Sequence, residues 1–158
     1  KTKVYVIHRL DRETKGLLVF AFNEEAFHQL KEQFATKIAK RHYLAILTGV
    51  FSKKKGKWIH YLVEDKNTFV RVTKNQEEGK KAESHYHILS QKKELSLAYV
   101  ELKTGRKNQI RVQAAHEGYP ILGDKKYGEA NQKKSLALYA FSLEFNHPTK
   151  KKQMHFFS

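Results

Sequence analysis

Strand-like segments outnumber helical ones along this chain of 158 residues, and the two kinds do not alternate regularly. That order predicts one mixed, largely antiparallel α+β domain over residues 1–158, with a few helices. Residues 17–22 form the longest purely apolar run and read as a buried strand. Asn23 follows as an N-cap, and Glu24 and Glu25 suit the positive end of a helix. Ala26, Phe27, Leu30, Phe34 and Ile38 then recur at three- and four-residue steps, the stripe of an amphipathic helix. Residues 42–51, 58–63, 68–73, 82–89, 95–102 and 136–145 read as strands, and 153–157 as an added edge strand. The polar connection 90–94 reads as a hairpin, 53–57 as a basic loop and 75–81 as a mobile loop. A second helix fits 109–116, stopped by Gly118 and Pro120.

A chain of this length can bury roughly two-thirds of the surface its unfolded form exposes, enough for a real core. Its charge is the stronger clue. Lys and Arg number 31 against 16 Asp and Glu, a net +15. Such an excess favours a polyanionic partner, nucleic acid before an anionic membrane. It argues against a free-standing enzyme of small cationic substrates. There is no cysteine, which excludes disulfide scaffolds, cysteine nucleophiles and thiolate metal sites. No apolar run is long enough to span a bilayer, and no signal peptide is visible. The chain starts at Lys1 rather than Met, so Lys1 need not be the natural start.

Three constellations can carry chemistry. In the first, Asp11 stands among His8, Arg9, Arg12 and Lys15, just before the apolar run. Neighbouring arginines lower a carboxyl pKa, so Asp11 is expected to stay ionised and can serve as a nucleophile. The same residues also suit a structural turn in which Asp11 caps a loop and pairs with Arg9 or Arg12. In the second, Arg106, Lys107 and Arg111 lie near a helix start and suit phosphate contacts, while Arg111 equally suits a buried carboxylate. In the third, Tyr43 follows Lys40, Arg41 and His42, which suits base stacking beside phosphate neutralisation as well as a core tyrosine. His85 and His87 share a strand face, but two ligands are too few for a metal. No phosphate-cradling glycine loop, dinucleotide fingerprint or serine nucleophile elbow is present.

Taken together, these segments carry a resemblance. The string His8-Arg9-Leu10-Asp11-Arg12-Glu13-Thr14-Lys15-Gly16-Leu17-Leu18-Val19-Phe20-Ala21 closely resembles the signature of the RluA-type pseudouridine synthases. Arg41-His42-Tyr43-Leu44-Ala45 with Gly49 is similar to that family's second motif. Thr104-Gly105-Arg106, Gln109-Ile110-Arg111-Val112, Gly118 to Asp124 and Tyr127-Gly128 are similar to its third. Leu136 to Ala140 and His147-Pro148 are similar to its closing strand and turn. The order matches over nearly the whole chain.

The resemblance implies isomerisation of uridine to pseudouridine in structured RNA, without cofactor or metal. Asp11 falls on the catalytic aspartate, Tyr43 on the tyrosine that stacks on the target base, and Arg111 on the arginine that pairs with the aspartate. Leu138 falls on an apolar residue lining the pocket. Arg9, Arg12 and Arg106 join these as substrate-binding candidates. A base inside a helix is out of reach, so the nucleotide is expected to flip out. Ribosomal RNA is the first expected substrate and transfer RNA the second, for a monomeric, cytoplasmic, bacterial protein with no membrane partner.

The chain also departs from the family pattern. Lys15 stands where a serine is usual, Lys107-Asn108 replaces Thr-His, and Gln113 and Tyr139 replace histidines. These changes leave Asp11, Tyr43 and Arg111 in place and bear on substrate choice. The family's Lys-Pro-x-Gly strand before the aspartate motif is not found, so a shortened domain with an incomplete sheet is expected. That absence motivates a second reading, a catalytically silent RNA-binding module on the same fold. A third, a basic structural protein of the ribosome, accounts for the charge but not for Asp11, Tyr43 and Arg111 together.

Overall fold

A computed structural model describes residues 3–129 and 134–158. Its elements run β1 (Tyr5–Val6), β2 (Lys15–Gly16), β3 (Phe20–Ala21), α1 (Glu24–Ala35), β4 (Lys40–Thr48), β5 (Lys55–Glu64) and β6 (Val70–Thr73). They continue through β7 (Lys80–Lys92), β8 (Leu95–Leu102), α2 (Gln109–His116), β9 (Leu138–Asn146) and β10 (Gln153–Phe157). The main sheet has the order β10-β9-β4-β8-β7-β5-β6, all antiparallel, with β2 added parallel to β9. The mixed, largely antiparallel α+β architecture read from the sequence is therefore the one found. Among the described residues no helix is long and apolar enough to cross a membrane.

Period-two burial builds the centre of this sheet. In β4, Tyr43, Ala45 and Leu47 are buried while Leu44 and Ile46 are half-buried. They join Ala98 and Val100 of β8, Leu138 and Ala140 of β9, and Ile110 and Ala114 of α2 in one core. A second core gathers Leu30 of α1, Ile7, Ala21, Leu143 and Phe145. The α1 start follows its sequence. The Asn23 side chain accepts from the Ala26 N–H at 2.8 Å, and the two glutamates fill the first turn.

Several boundaries differ from expectation. Residues 17–22 are not a buried strand. Only Phe20–Ala21 pairs, with Tyr5–Val6, and Phe22 is 68% exposed. The run is apolar on both sides of a two-stranded ribbon, and only the side bearing Ala21 meets α1. The helix stops at Ala35, short of exposed Ile38, because Lys37 takes a left-handed φ of 64°. The basic loop is shorter than expected, since Lys55 already belongs to β5, and Lys80 already belongs to β7. The polar residues Ser90 to Lys92 extend β7, leaving a tight turn in which Lys93 has φ 54°. Gly16 marks a close approach. Its φ is 114°, and a Cβ there would run into the Ala140 carbonyl as β2 settles beside β9.

Candidate active site

Asp11 lies in the loop between β1 and β2, where its carbonyl accepts from the Thr14 N–H at 3.0 Å. Its side chain is 25% exposed. It borders an open cavity together with Arg9, Tyr43, Arg106 and Asn108. Tyr43 arrives from the middle of β4 and is 7% exposed, so it belongs both to the core and to the cavity wall. Core packing and site lining, two separate readings of the sequence, are thus met by one side chain. Burial pushes the Tyr43 phenol up, Arg41 opposes this, and Asp11 adds to it. The ring therefore stands beside Asp11 as a neutral phenol.

Arg111 projects from α2 toward two carboxylates. Its Nε and Nη2 donate to Asp124 Oδ2 and Oδ1 at 2.8 and 2.7 Å, a bidentate pair. Its Nη1 lies 3.9 Å from Asp11 Oδ2. Of the two readings of Arg111, phosphate contact or a buried carboxylate, the side chain here meets carboxylates, and Asp124 is the closer of the two. Asp124 is 1% exposed and also accepts from the Lys126 and Tyr127 N–H groups at 2.9 and 3.1 Å. Burial works against the Asp124 charge, but Arg111 and these amides outweigh it and hold the carboxyl below its usual range. The Tyr127 ring lies 5.4 Å from the Arg111 guanidinium.

For Asp11 the balance goes the other way. Burial raises its pKa, and the Asp124 charge adds to that. Arg111, the Asn108 backbone amide and Arg9 oppose it without cancelling it. Charge neighbours alone suggested a lowered value. The fold reverses the direction because it removes Asp11 from water and commits Arg111 chiefly to Asp124.

A buried polar network fixes α2, and with it Arg111. Gln109 Nε2 donates to Ser84 Oγ at 2.8 Å and to the Glu83 carbonyl at 3.0 Å, and its Oε1 accepts from Thr104 Oγ1 at 2.7 Å. Gln113 Nε2 donates to the Trp58 and Ala82 carbonyls, both at 3.1 Å, and Ser84 Oγ donates to its Oε1 at 2.7 Å. Gln113, a departure from the family pattern, thus pins the helix to β5 and β7.

The other candidates separate by position. Arg9 and Arg106 line the Asp11 cavity, and Arg106 Nε donates to the Lys81 carbonyl at 3.1 Å. Arg12 borders an adjoining cleft with Lys107, Lys125 and Lys126, which also reaches Arg9, Asp11 and Arg111. Leu138 does not line the cavity. It is buried in the core that includes Tyr43, opposite Ala45 in the sheet register. His85 turns to Glu83 at 2.8 Å, and among the described residues no group of three metal-ligating side chains occurs.

Residue types alone missed three contributors, Asn108, Asp124 and Tyr127, and read Arg41 only as a basic neighbour of Tyr43. Arg41 lines the cavity, and its Nε is buried with no hydrogen-bond partner among the described residues. Burial lowers its pKa, partly offset by Tyr43. Asn108, Asp124 and Tyr127 surround Asp11 and Arg111. Asp124 and Tyr127 stood within a recognisable motif, but nothing in their spacing assigned them a partner.

Comparison with known proteins adds an independent finding. A family profile described as RNA pseudouridylate synthase matches residues 1–116. The chain is 35% identical over 145 residues to the uncharacterized RNA pseudouridine synthase YlyB of Bacillus subtilis, covering 90% of this chain and 48% of that protein. It is 34% identical over 149 residues to ribosomal large subunit pseudouridine synthase D of Borreliella burgdorferi, covering 92% and 46%. The chain thus spans about half the length of these curated relatives. Among solved structures, human RNA pseudouridylate synthase domain containing 1 superposes with a TM-score of 0.87 at 24% identity, over 99% of this chain and 69% of the other. That last likeness concerns the fold.

Proposed function

The chain belongs to the RNA pseudouridylate synthase family, and from that premise we propose that it isomerises specific uridines of structured RNA to pseudouridine. The observation that carries this reading is the Asp11 carboxylate, held by Arg111 at the edge of a cavity walled by Tyr43. In the isomerisation the C1′–N1 bond breaks and a C1′–C5 bond forms. C5 gives up its proton and N1 gains one, so every atom is conserved and no redox partner is required. Asp11 is the group that attacks the sugar or the ring, or stabilises a glycal-forming path. Arg111 keeps the carboxylate oriented while the uracil is detached.

The target base reaches Asp11 by flipping out of its helix, at a cost of roughly a few kcal/mol. Contact with Tyr43 offsets about 1–3 kcal/mol of it. Arg9, Arg12 and Arg106, with the net charge of +15, supply phosphate contacts that weaken as salt rises. Ribosomal RNA is the preferred substrate class, as in the name of the Borreliella burgdorferi relative, with transfer RNA next. The protein acts as a cytoplasmic monomer without cofactor or metal.

The test is pseudouridine formation in unmodified ribosomal and transfer RNA, read by carbodiimide labelling, with the chain and any longer natural protein that contains it. Asp11→Asn is expected to abolish product while RNA affinity stays nearly intact. Unchanged turnover in that variant overturns the reading. Salt-sensitive RNA binding with no product from any form would instead favour a silent binding module.

A further inference from the structure

We propose that Asn108 is a positioning residue for Asp11, gripping its carboxylate with the side-chain amide while Tyr127 holds that amide in place. The inference rests on the reading of Asp11 as the catalytic carboxylate, and it adds a residue that neither charge nor motif assigned.

Asn108 precedes α2 in the position of an N-cap, yet its side chain makes no capping bond to the helix. An asparagine there ordinarily accepts from the second or third helical N–H. This one is buried, and its amide lies between Asp11 and Tyr127. Hydrogen-bond chemistry fixes which way round the amide sits. With its oxygen toward Asp11, an acceptor would face two carboxylate oxygens. The opposite orientation satisfies every partner: Nδ2 donates to Asp11 Oδ1 and Oδ2, each at 3.0 Å, and Oδ1 accepts from the Tyr127 hydroxyl at 3.0 Å. The Tyr127 end agrees with this orientation. Its oxygen accepts from the Val70 N–H at 3.3 Å, and a backbone N–H can only donate. The Tyr127 proton is therefore left for Asn108 Oδ1, and the Asn108 N–H bonds are left for Asp11.

The chain of bonds runs from β6 through Tyr127 and Asn108 to Asp11. Together with Arg111 Nη1 it grips the carboxylate from two directions. The backbone supports the assignment. Asn108 has φ 53°, a left-handed conformation that asparagine, aspartate and histidine adopt more readily than most residues. A side-chain donor can stand here without distorting the turn into α2.

Three variants tolerate that backbone and separate the possibilities. Asn108→Gly removes the amide, Asn108→Asp replaces a donor by an acceptor of the same shape, and Asn108→His restores a ring N–H. The first readout is the titration of the Asp11 carboxyl followed by NMR in the RNA-free protein. Arg111, Arg9 and Asp124, the other charged groups acting on Asp11, and Tyr43 beside it are untouched in all three. Asp11 is expected to titrate at higher pH in Asn108→Gly, higher still in Asn108→Asp, and nearer the wild type in Asn108→His. The second readout is single-turnover pseudouridine formation at saturating RNA. Asn108→Gly is expected to slow it about 10- to 100-fold, the range for losing a hydrogen bond to a charged group, with RNA affinity unchanged. An Asp11 titration that is the same in Asn108→Gly and wild type overturns the proposal. So does a rate loss matched by an equal loss of RNA affinity. If the wild type makes no pseudouridine, the functional reading fails, and the titration still decides whether Asn108 holds Asp11.

Discussion

Arg111 binds Asp124 more closely than it binds Asp11: hydrogen bonds of 2.7 and 2.8 Å go to Asp124, and Asp11 lies 3.9 Å from the remaining amine. The arginine is therefore a bridge with one anchored and one working end. Burial disfavours its charge, but Asp124, Asp11 and Glu13 outweigh that and keep it protonated. Asp124→Asn is expected to leave Arg111 buried and short of its partner. Breaking one side of a buried pair costs about 3–5 kcal/mol, so unfolding in urea should show a loss near that size. A loss below about 1 kcal/mol would mean that Asp124 is not the anchor, because exposed ion pairs contribute no more than that.

The direction of the Asp11 shift yields a paired prediction. A carboxyl raised by burial binds more protons when folded than when unfolded, so its ionisation destabilises the fold as pH rises through that pKa. At neutral pH, Asp11→Asn should then be inactive yet at least as stable as the wild type. The rate of pseudouridine formation should fall as pH drops through a value above the ordinary carboxylate pKa. Thermal or urea unfolding at neutral pH checks the first part, and a pH–rate profile checks the second. An Asp11→Asn protein less stable than wild type would contradict this account.

Gly16 offers a sharper structural test. It combines φ 114° with backbone of Ala140 where a Cβ would stand. The obstacle is main chain and cannot swing aside, so Gly16→Ala must push β2 off β9. The strained backbone alone costs about 1–3 kcal/mol. Because Asp11 lies in the loop entering β2, activity should fall along with stability. Unfolding free energy and turnover measured on the same preparation test this, and a variant as stable as wild type would show that β2 has room to move.

The elements that were readable share a property: their signals are local. Asn23 announces α1 because its cap bond reaches only to Ala26. The alternation of Tyr43, Ala45 and Leu47 declares β4, and 109–116 is helical where expected. The failures are non-local. The pairing of Tyr5–Val6 with Phe20–Ala21 involves two residues on each side, too few for a period to appear. Asp11, Tyr43 and Arg111 were singled out by ordered motifs, and the structure brings them together. Leu138 fell in the core because its strand neighbour Ala45 faces inward there. The choice of Asp124 as the bidentate partner depends on a turn after α2, and a carboxylate's residue type does not show which arginine it meets. The left-handed backbone of Asn108, which brings its amide to Asp11, left no mark in hydropathy.

His8 allows one further prediction, about acid stability rather than catalysis. Its ring stacks on Phe34 with centroids 4.7 Å apart, and its Nε2 accepts from the Val19 N–H at 3.4 Å. Burial, then the charges of Arg41 and Lys31, push its pKa down to about 4 from 6.5. Folded His8 thus stays neutral over a window in which the unfolded chain takes up a proton. The unfolded state binds more protons there, so stability rises with pH between about 4 and 6.5 and is lost as pH falls through that window. At pH near 4.5 this single group should cost about 2–3 kcal/mol relative to pH 7. His8→Gln keeps an acceptor for Val19 but does not titrate. Its unfolding free energy should therefore fall less than the wild type's between pH 7 and pH 4.5, by about that difference. Equal losses in the two proteins would mean that His8 is protonated without cost, and that its stacking on Phe34 survives the charge.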